Sequence, residues 1–188
     1  MANLVGSDEL TFLRADAAAT DERLMLEFQR GSQEAFAELF ARYRQPVFGF
    51  FRRRLADTAR AEELAQETFL VVLRAVVRYE PRAPFRTYLY AIALKQLAAE
   101  RRKNAYRDSR PQSRTPDPPA SSDSDDSVAV RQALAQLDAG DRDVLMLREY
   151  EELSYAEIAT LQRVPLNTVR SRLFRARQAL GELLRKTP

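Results

Sequence analysis

"SYAEIATLQRVPLNTVRSRLFRARQAL", from Ser154 to Leu180, decides the architecture of the C-terminal part of this chain. Ser154 and Glu157 have the spacing of a capping box, in which the serine hydroxyl accepts from the backbone N–H near Glu157 and the glutamate reaches back. The box opens a short helix, "AEIATLQ". A turn containing Val164 and Pro165 follows, after which Asn167 or Thr168 is placed to cap a second helix. Helix, short turn, helix is the layout of a helix-turn-helix.

On the second helix, Val169, Leu173, Ala176 and Leu180 recur at i, i+4, i+7 and i+11 and predict one buried face. The opposite face presents Ser171, Phe174, Arg175 and Gln178, flanked by Arg170 and Arg177, with Arg172 toward the other border and Thr168 near the helix start. Arginines this close repel, so the pattern calls for a solvated face or an anionic partner. A helix lying in a major groove needs arginines for guanine edges or phosphates, a small hydroxyl and an apolar group for thymine methyls. Phe174 favours that use over plain solvation, and DNA phosphate is then the anion that relieves the arginines.

The whole chain bounds the alternatives. Its 188 residues, 45% hydrophobic and 30% charged, make room for one or two ordinary globular domains. Zero cysteines and zero histidines exclude disulfides, thiolate or imidazole metal sites and every nucleophile–histidine arrangement, and no cofactor motif is present. The net charge of +3 decides little. No apolar run is long enough to span a bilayer, and "MANLVGSDELTFL" lacks the pattern of a signal peptide, so a cytoplasmic protein without membrane insertion is expected.

Between Ser109 and Ser127 the sequence "SRPQSRTPDPPASSDSDDS" holds too little apolar surface to offset its ordering entropy. The expected division is a weakly patterned tail at 1–20, a helical domain at 21–107, a Pro/Ser/Asp-rich flexible linker at 108–127 and the helix-turn-helix domain at 128–188. The predicted fold class is all-α, with two small helical domains. Asp117, Asp123, Asp125 and Asp126 give the linker either a plain spacer role or that of a nucleic-acid mimic in a basic channel.

In the N-terminal domain, Ser32 starts a helix whose stripe is Phe36, Leu39, Phe40, Tyr43 and Val47. A helix after Asp57 turns Ala65, Thr68, Phe69, Val72 and Val76 one way, and Glu63, Gln66, Glu67 and Leu70 the other, either as a wet face or as a docking surface. Pro81 and Pro84 restrict a loop before a third helix that Thr87 or a neighbour starts. That helix buries Leu89, Ala93 and Leu97 and gathers Tyr88, Lys95 and Arg102 on its other side. A ring beside cations suits unpaired bases, each stack contributing roughly 1 to 3 kcal/mol; covering the core edge and ending a helix with cations explains the same residues.

Taken in order, "ELAQETFLVVLRAV", "PFRTYLYAIA", a polar linker and "LSYAEIATLQRVPLNTVRSRLFRARQAL" resemble a bacterial extracytoplasmic-function (ECF) sigma factor over most of the chain. The resemblance implies a non-enzymatic subunit that binds core RNA polymerase, recognises minus-35 and minus-10 promoter DNA and promotes initiation. It implies that Glu63, Gln66, Glu67 and Leu70 dock on the clamp helices of the beta-prime subunit. It places base capture and strand opening at Tyr79, Arg82, Phe85, Thr87, Tyr88, Lys95 and Arg102. Minus-35 reading falls to Arg170, Ser171, Phe174 and Arg175, joined by Thr168, Arg172 and Gln178. An anti-sigma factor is the implied regulatory partner.

Departures from the family accompany the resemblance. Tyr88 stands where Trp is common, and Lys95 where Asn is common. Gln162 and Arg163 replace a Leu-Gly pair in the turn, and Asn167 stands where Gly is frequent. The rival is a dimeric helix-turn-helix regulator that binds symmetric duplex sites without polymerase.

Overall fold

A computed structural model describes residues 20–108 and 125–186. Among these the regular elements are α1 (Asp21–Gln29), α2 (Gln33–Arg52), α3 (Thr58–Ala75), a 3₁₀ turn (Val76–Arg78), α4 (Phe85–Asp108), α5 (Asp125–Gln136), α6 (Ala139–Glu149), α7 (Tyr155–Gln162) and α8 (Leu166–Lys186). The all-α expectation holds. The tail at 1–19 and the linker residues Asp117 and Asp123 lie outside the described residues. Asp125 and Asp126 open α5, so the C-terminal domain begins inside the span expected to be linker.

Local chemistry fixes the helix starts. Thr20, Ser32, Asp57 and Asp138 each accept from a first-turn N–H of the helix that follows, and Ser154 and Glu157 form the complete capping box. Gly31, at φ 107°, turns the chain between α1 and α2, a conformation that glycine reaches without steric penalty. α8 starts earlier than expected: the Pro165 carbonyl accepts from Thr168 and Val169, so Asn167 and Thr168 lie within the first turn rather than capping it.

In the N-terminal domain α1 packs on α2, α2 on α3 and α3 on α4. Their shared interior holds Met25, Leu39, Val47, Phe50, Phe51, Leu64, Val72, Phe85, Leu89 and Leu97. Phe40, predicted on the buried stripe, is 39% exposed at its edge, where it meets Phe69 edge-on. In the C-terminal domain α8 is the spine, against which α5, α6 and α7 pack through Val144, Leu147, Ile158, Val169, Leu173 and Ala176.

The two domains also touch. α7 packs on α4, and the buried apolar residues of both domains join into one continuous cluster. Glu157 ties them: its carboxylate accepts from Arg86 Nε and Nη2, both at 2.6 Å, and from the Thr87 hydroxyl at 3.0 Å, while Ser154 donates from its own side. Burial pushes this carboxyl upward, but the hydrogen bonds from Arg86, Ser154 and Thr87 outweigh burial and hold it at about 2. Glu151, also buried, receives Arg53 at 3.1 Å and Arg54 at 3.0 Å.

The turn without its glycine is closed by Arg163, which adopts the left-handed conformation at φ 54° and ψ 45°, while the Val164 N–H donates to the Ala159 carbonyl at 3.1 Å. An L-residue carries a steric cost here that glycine avoids. Arg163→Gly is therefore expected to raise stability by roughly 0.5 to 1 kcal/mol in urea unfolding. A loss would show that the Arg163 side chain contributes more than its backbone costs.

Since the folded pKa of Glu157 lies below the ordinary 4.5, its stabilising effect is complete above that value and lost as the pH falls through about 2. The stability difference between wild type and Glu157→Gln should shrink over that window; a pH-independent difference would contradict the bonding described.

Candidate nucleic-acid interface

α8 builds the first candidate surface. With Val169, Leu173 and Ala176 buried, the helix leaves Arg170, Ser171, Phe174, Arg175 and Gln178 exposed, and Phe174 is 63% accessible. Thr168 and Arg172 are half-buried at the border, and Arg172 donates to Gln162 at 3.1 Å. The structure thus brings the predicted upstream-reading residues onto one helix and grades them by exposure.

Its arginines are not left to repel one another. Arg175 closes a two-point grip on Asp141 of α6, at 3.0 and 2.8 Å, and Arg177 reaches Glu149 at 2.7 Å. Arg170 makes a 3.3 Å contact with Asn167. Beside the DNA phosphate expected from the sequence, acids of α6 relieve part of this charge within the chain. Arg175 also has two of its nitrogens committed to Asp141, leaving Nη1 as the nitrogen outside that grip. Asp141 was missed in the sequence, where nothing local links it to a residue 34 positions away.

The second surface lies at the start of α4. Tyr79 and Phe85 are buried, 4% and 1% exposed, and make the floor of the loop rather than its surface. The Tyr79 ring meets Tyr88 edge-on at 5.3 Å; burial pushes its phenol up to about 12, and its hydroxyl has no hydrogen-bond partner among the described residues. Tyr88 is half-buried, while Arg82, Lys95 and Arg102 are exposed. Thr87 is buried beneath Glu157. Above this loop is a cleft of about 1020 Å³ between the domains, walled by Tyr43, Arg82, Arg86 and Thr87 on one side and by Ser154 and Thr160 on the other.

The third surface is the exposed stripe of α3, Glu63, Gln66, Glu67 and Leu70, the leucine 46% accessible. Arg60 folds along it, 2.7 Å from Glu63 and 3.1 Å from Glu67, and anchors to Glu100 of α4 at 2.8 Å. The stripe is therefore acidic but partly neutralised, with Leu70 as its apolar element. No group of acidic, histidine or cysteine side chains among the described residues could hold a metal ion, and no helix among them is long and apolar enough to cross a membrane.

Comparison with known proteins places the chain in a family. Residues 39–107 match Sigma-70 region 2, and residues 127–180 match Sigma-70, region 4. The chain is 32% identical over 185 residues to the RNA polymerase sigma-H factor of Pseudomonas aeruginosa, covering 87% of this chain and 93% of that protein. It is 38% identical over 166 residues to the RNA polymerase sigma factor CarQ of Myxococcus xanthus, covering 85% and 95%. Its fold is similar to CnrH in complex with the cytosolic domain of CnrY, with a TM-score of 0.69, 24% identity and coverage of 89% and 99%. It is also similar to the sigma factor RpoE bound to the anti-sigma factor NepR from Bartonella quintana, with a TM-score of 0.67, 23% identity and coverage of 81% and 98%. The helix-turn-helix, the helical domain before it and these likenesses over most of the chain have one common explanation: the protein belongs to the ECF sigma factors of RNA polymerase.

Proposed function

We propose that this sigma factor distributes promoter recognition over the first two surfaces and core binding over the third. α8 enters the major groove of the minus-35 element. Arg170 and Ser171 face base edges, Phe174 meets thymine methyls, and Gln178, Thr168 and Arg172 line the border. The observation that carries this is Phe174, an aromatic ring held 63% exposed in the middle of a cationic helix face. The loop at 79–85 and the α4 face of Tyr88, Lys95 and Arg102 take the minus-10 strand, where stacking must offset a flipping cost of a few kcal/mol. Glu63, Gln66, Glu67 and Leu70 dock on the clamp helices of the beta-prime subunit.

The factor supplies recognition and no catalysis of its own. It works in the cytoplasm. An anti-sigma factor controls it, a reading supported by the partner of the Bartonella quintana protein. Run-off transcription with bacterial core polymerase on a pool of promoter fragments tests the assignment. Transcripts dependent on this protein, from templates sharing two unlike elements, are expected. Absence of transcripts together with tight binding to a symmetric duplex would favour the dimeric regulator.

Arg170 and Arg175 should behave differently. Arg170→Ala is expected to cost roughly 1 to 3 kcal/mol in holoenzyme binding and to relax preference at one minus-35 position. Arg175, tied to Asp141, should contribute a sequence-independent contact through Nη1, so Arg175→Ala lowers affinity evenly across templates. Sequence-selective loss at Arg175 would show that it leaves Asp141 to read a base. Replacing Glu63, Gln66 and Glu67 together with Ala should weaken core binding while helicity is retained, and undiminished core affinity would remove the docking assignment.

A further inference from the structure

The loop between the 3₁₀ turn and α4 is held at both ends by one short helix. At its entrance the Gln29 side-chain amide donates to the carbonyls of Val76 at 2.8 Å, Val77 at 3.2 Å and Tyr79 at 3.1 Å. These carbonyls lie where a helix ends and its regular hydrogen-bond donors run out. At its exit the Phe85 N–H donates to a Glu22 carboxylate oxygen at 2.6 Å. Both side chains belong to α1, two turns apart and therefore on one face of it.

The exit cannot be capped locally. α4 has no acid in its own first turn, and Pro84 before it carries no side-chain acceptor. The cap that Ser32 or Asp57 supplies to its own helix comes here from Glu22. At the entrance Tyr79 is 4% exposed and its hydroxyl has no partner among the described residues, so its carbonyl provides the tie to α1.

α1 is itself fixed. Leu24 and Met25 are buried, and Asp21 accepts from Arg42 at 2.6 Å and from the Tyr43 hydroxyl, both on α2. The Tyr43 ring meets Phe85 edge-on at 5.5 Å. On α1 the two anchors stand about 10 Å apart, whereas the stretch from Tyr79 to Phe85 could extend to about 20 Å. The chain between the anchors must therefore bow outward. Its exposed turn carries Arg82, whose N–H donates to the Glu80 carbonyl at 2.8 Å.

We propose that Glu22 and Gln29 are positioning residues for capture of the minus-10 strand: α1 sets the span of the loop, and that span presents Arg82 and Tyr88 to the bases in one arrangement before DNA arrives. The effect on the strand rests on the minus-10 assignment above; the effect on the loop rests on the α1 geometry alone. A loop held at both ends gives up little conformational entropy when a base enters it, so the anchors raise affinity without touching DNA. Neither anchor lies on α8 or on the exposed stripe of α3, so duplex and core binding do not depend on them.

The full chain has no cysteine, so Ala83→Cys gives a single site for a nitroxide within the loop. Glu22→Ala and Gln29→Ala go into this background separately. Each should sharpen the nitroxide spectrum with helicity unchanged, and unchanged spectra in both variants overturn the proposal. Unlabelled holoenzyme with the same substitutions then selects from a single-stranded pool randomised over about 12 nucleotides. Affinity for the selected strand should fall about fivefold to tenfold in each variant, the loss of a cap that acts in binding, and preference at one position should flatten. Affinity for a mixed-sequence duplex should stay within about twofold. Glu22→Gln keeps an acceptor for the Phe85 N–H and should restore strand affinity to within about twofold of wild type. A gain of affinity in Glu22→Ala would show a carboxylate that repels the strand rather than positions the loop, and overturns the anchor. A loosened loop with undiminished strand affinity overturns the positioning role. Tyr88→Ala then says why: if it lowers that affinity the minus-10 assignment stands, and if it does not the assignment has failed too.

Discussion

Glu157 has to satisfy two structures at once, and its position lets it do so. As the third residue of α7 it completes the capping box with Ser154, so the helix cannot start cleanly without it. The same carboxylate carries enough acceptor sites to receive Arg86 and Thr87 from α4 as well. The orientation of the first helix of the helix-turn-helix and its seating on the N-terminal domain are therefore coupled through one group. Burial alone would push that group toward protonation; the donors around it reverse the sign and keep it charged.

A comparable economy governs α8. A helix crowded with cations needs anions close by to be stable on its own. Asp141 and Glu149 on α6 provide this, each ion pair also pinning α8 to its neighbour. On the exposed face from 170 to 178, Arg170 has an amide rather than an acid as its hydrogen-bond partner, Asn167 in its own first turn. Charge on the helix is thus graded, from Arg175 and Arg177, which are paired with acids of α6, to Arg170, which is not. Phe174 needs no partner for stability, since the apolar seam of Val169, Leu173 and Ala176 is complete without it.

What the sequence revealed follows from the range of each interaction. The seam of α8, the capping box, the helix starts at Ser32 and Asp57 and the buried line Leu89, Ala93 and Leu97 are set by neighbours within a few turns, so spacing alone exposes them. Where two local solutions compete, spacing misleads: Asn167 looks like a cap, but Pro165 already lets the helix begin two residues sooner. Phe40 shows the limit of a stripe, which has edges that a wheel cannot grade. Tyr79 and Phe85 belong to a loop by sequence, yet aromatic bulk draws them inward. The left-handed turn at Arg163 carries no glycine to mark it, and only the resemblance, which puts Arg163 where a glycine is usual, points to it. Glu151 and Arg54 lie 97 positions apart, and no pattern in either neighbourhood calls for the other.

These contacts also define what closing the two domains costs. An apolar interface would hold them together at any ionic strength, but the contacts here combine continuous apolar packing with charges at different depths. The Arg86 side chain is 40% exposed and feels solvent screening; Arg54 and Glu151 are nearly sealed from it. Desolvating an ion pair is expensive, and two arginines around one carboxylate recover that cost incompletely. Closure built this way rests on continuous apolar packing and on ion pairs whose exposure differs from one to the next.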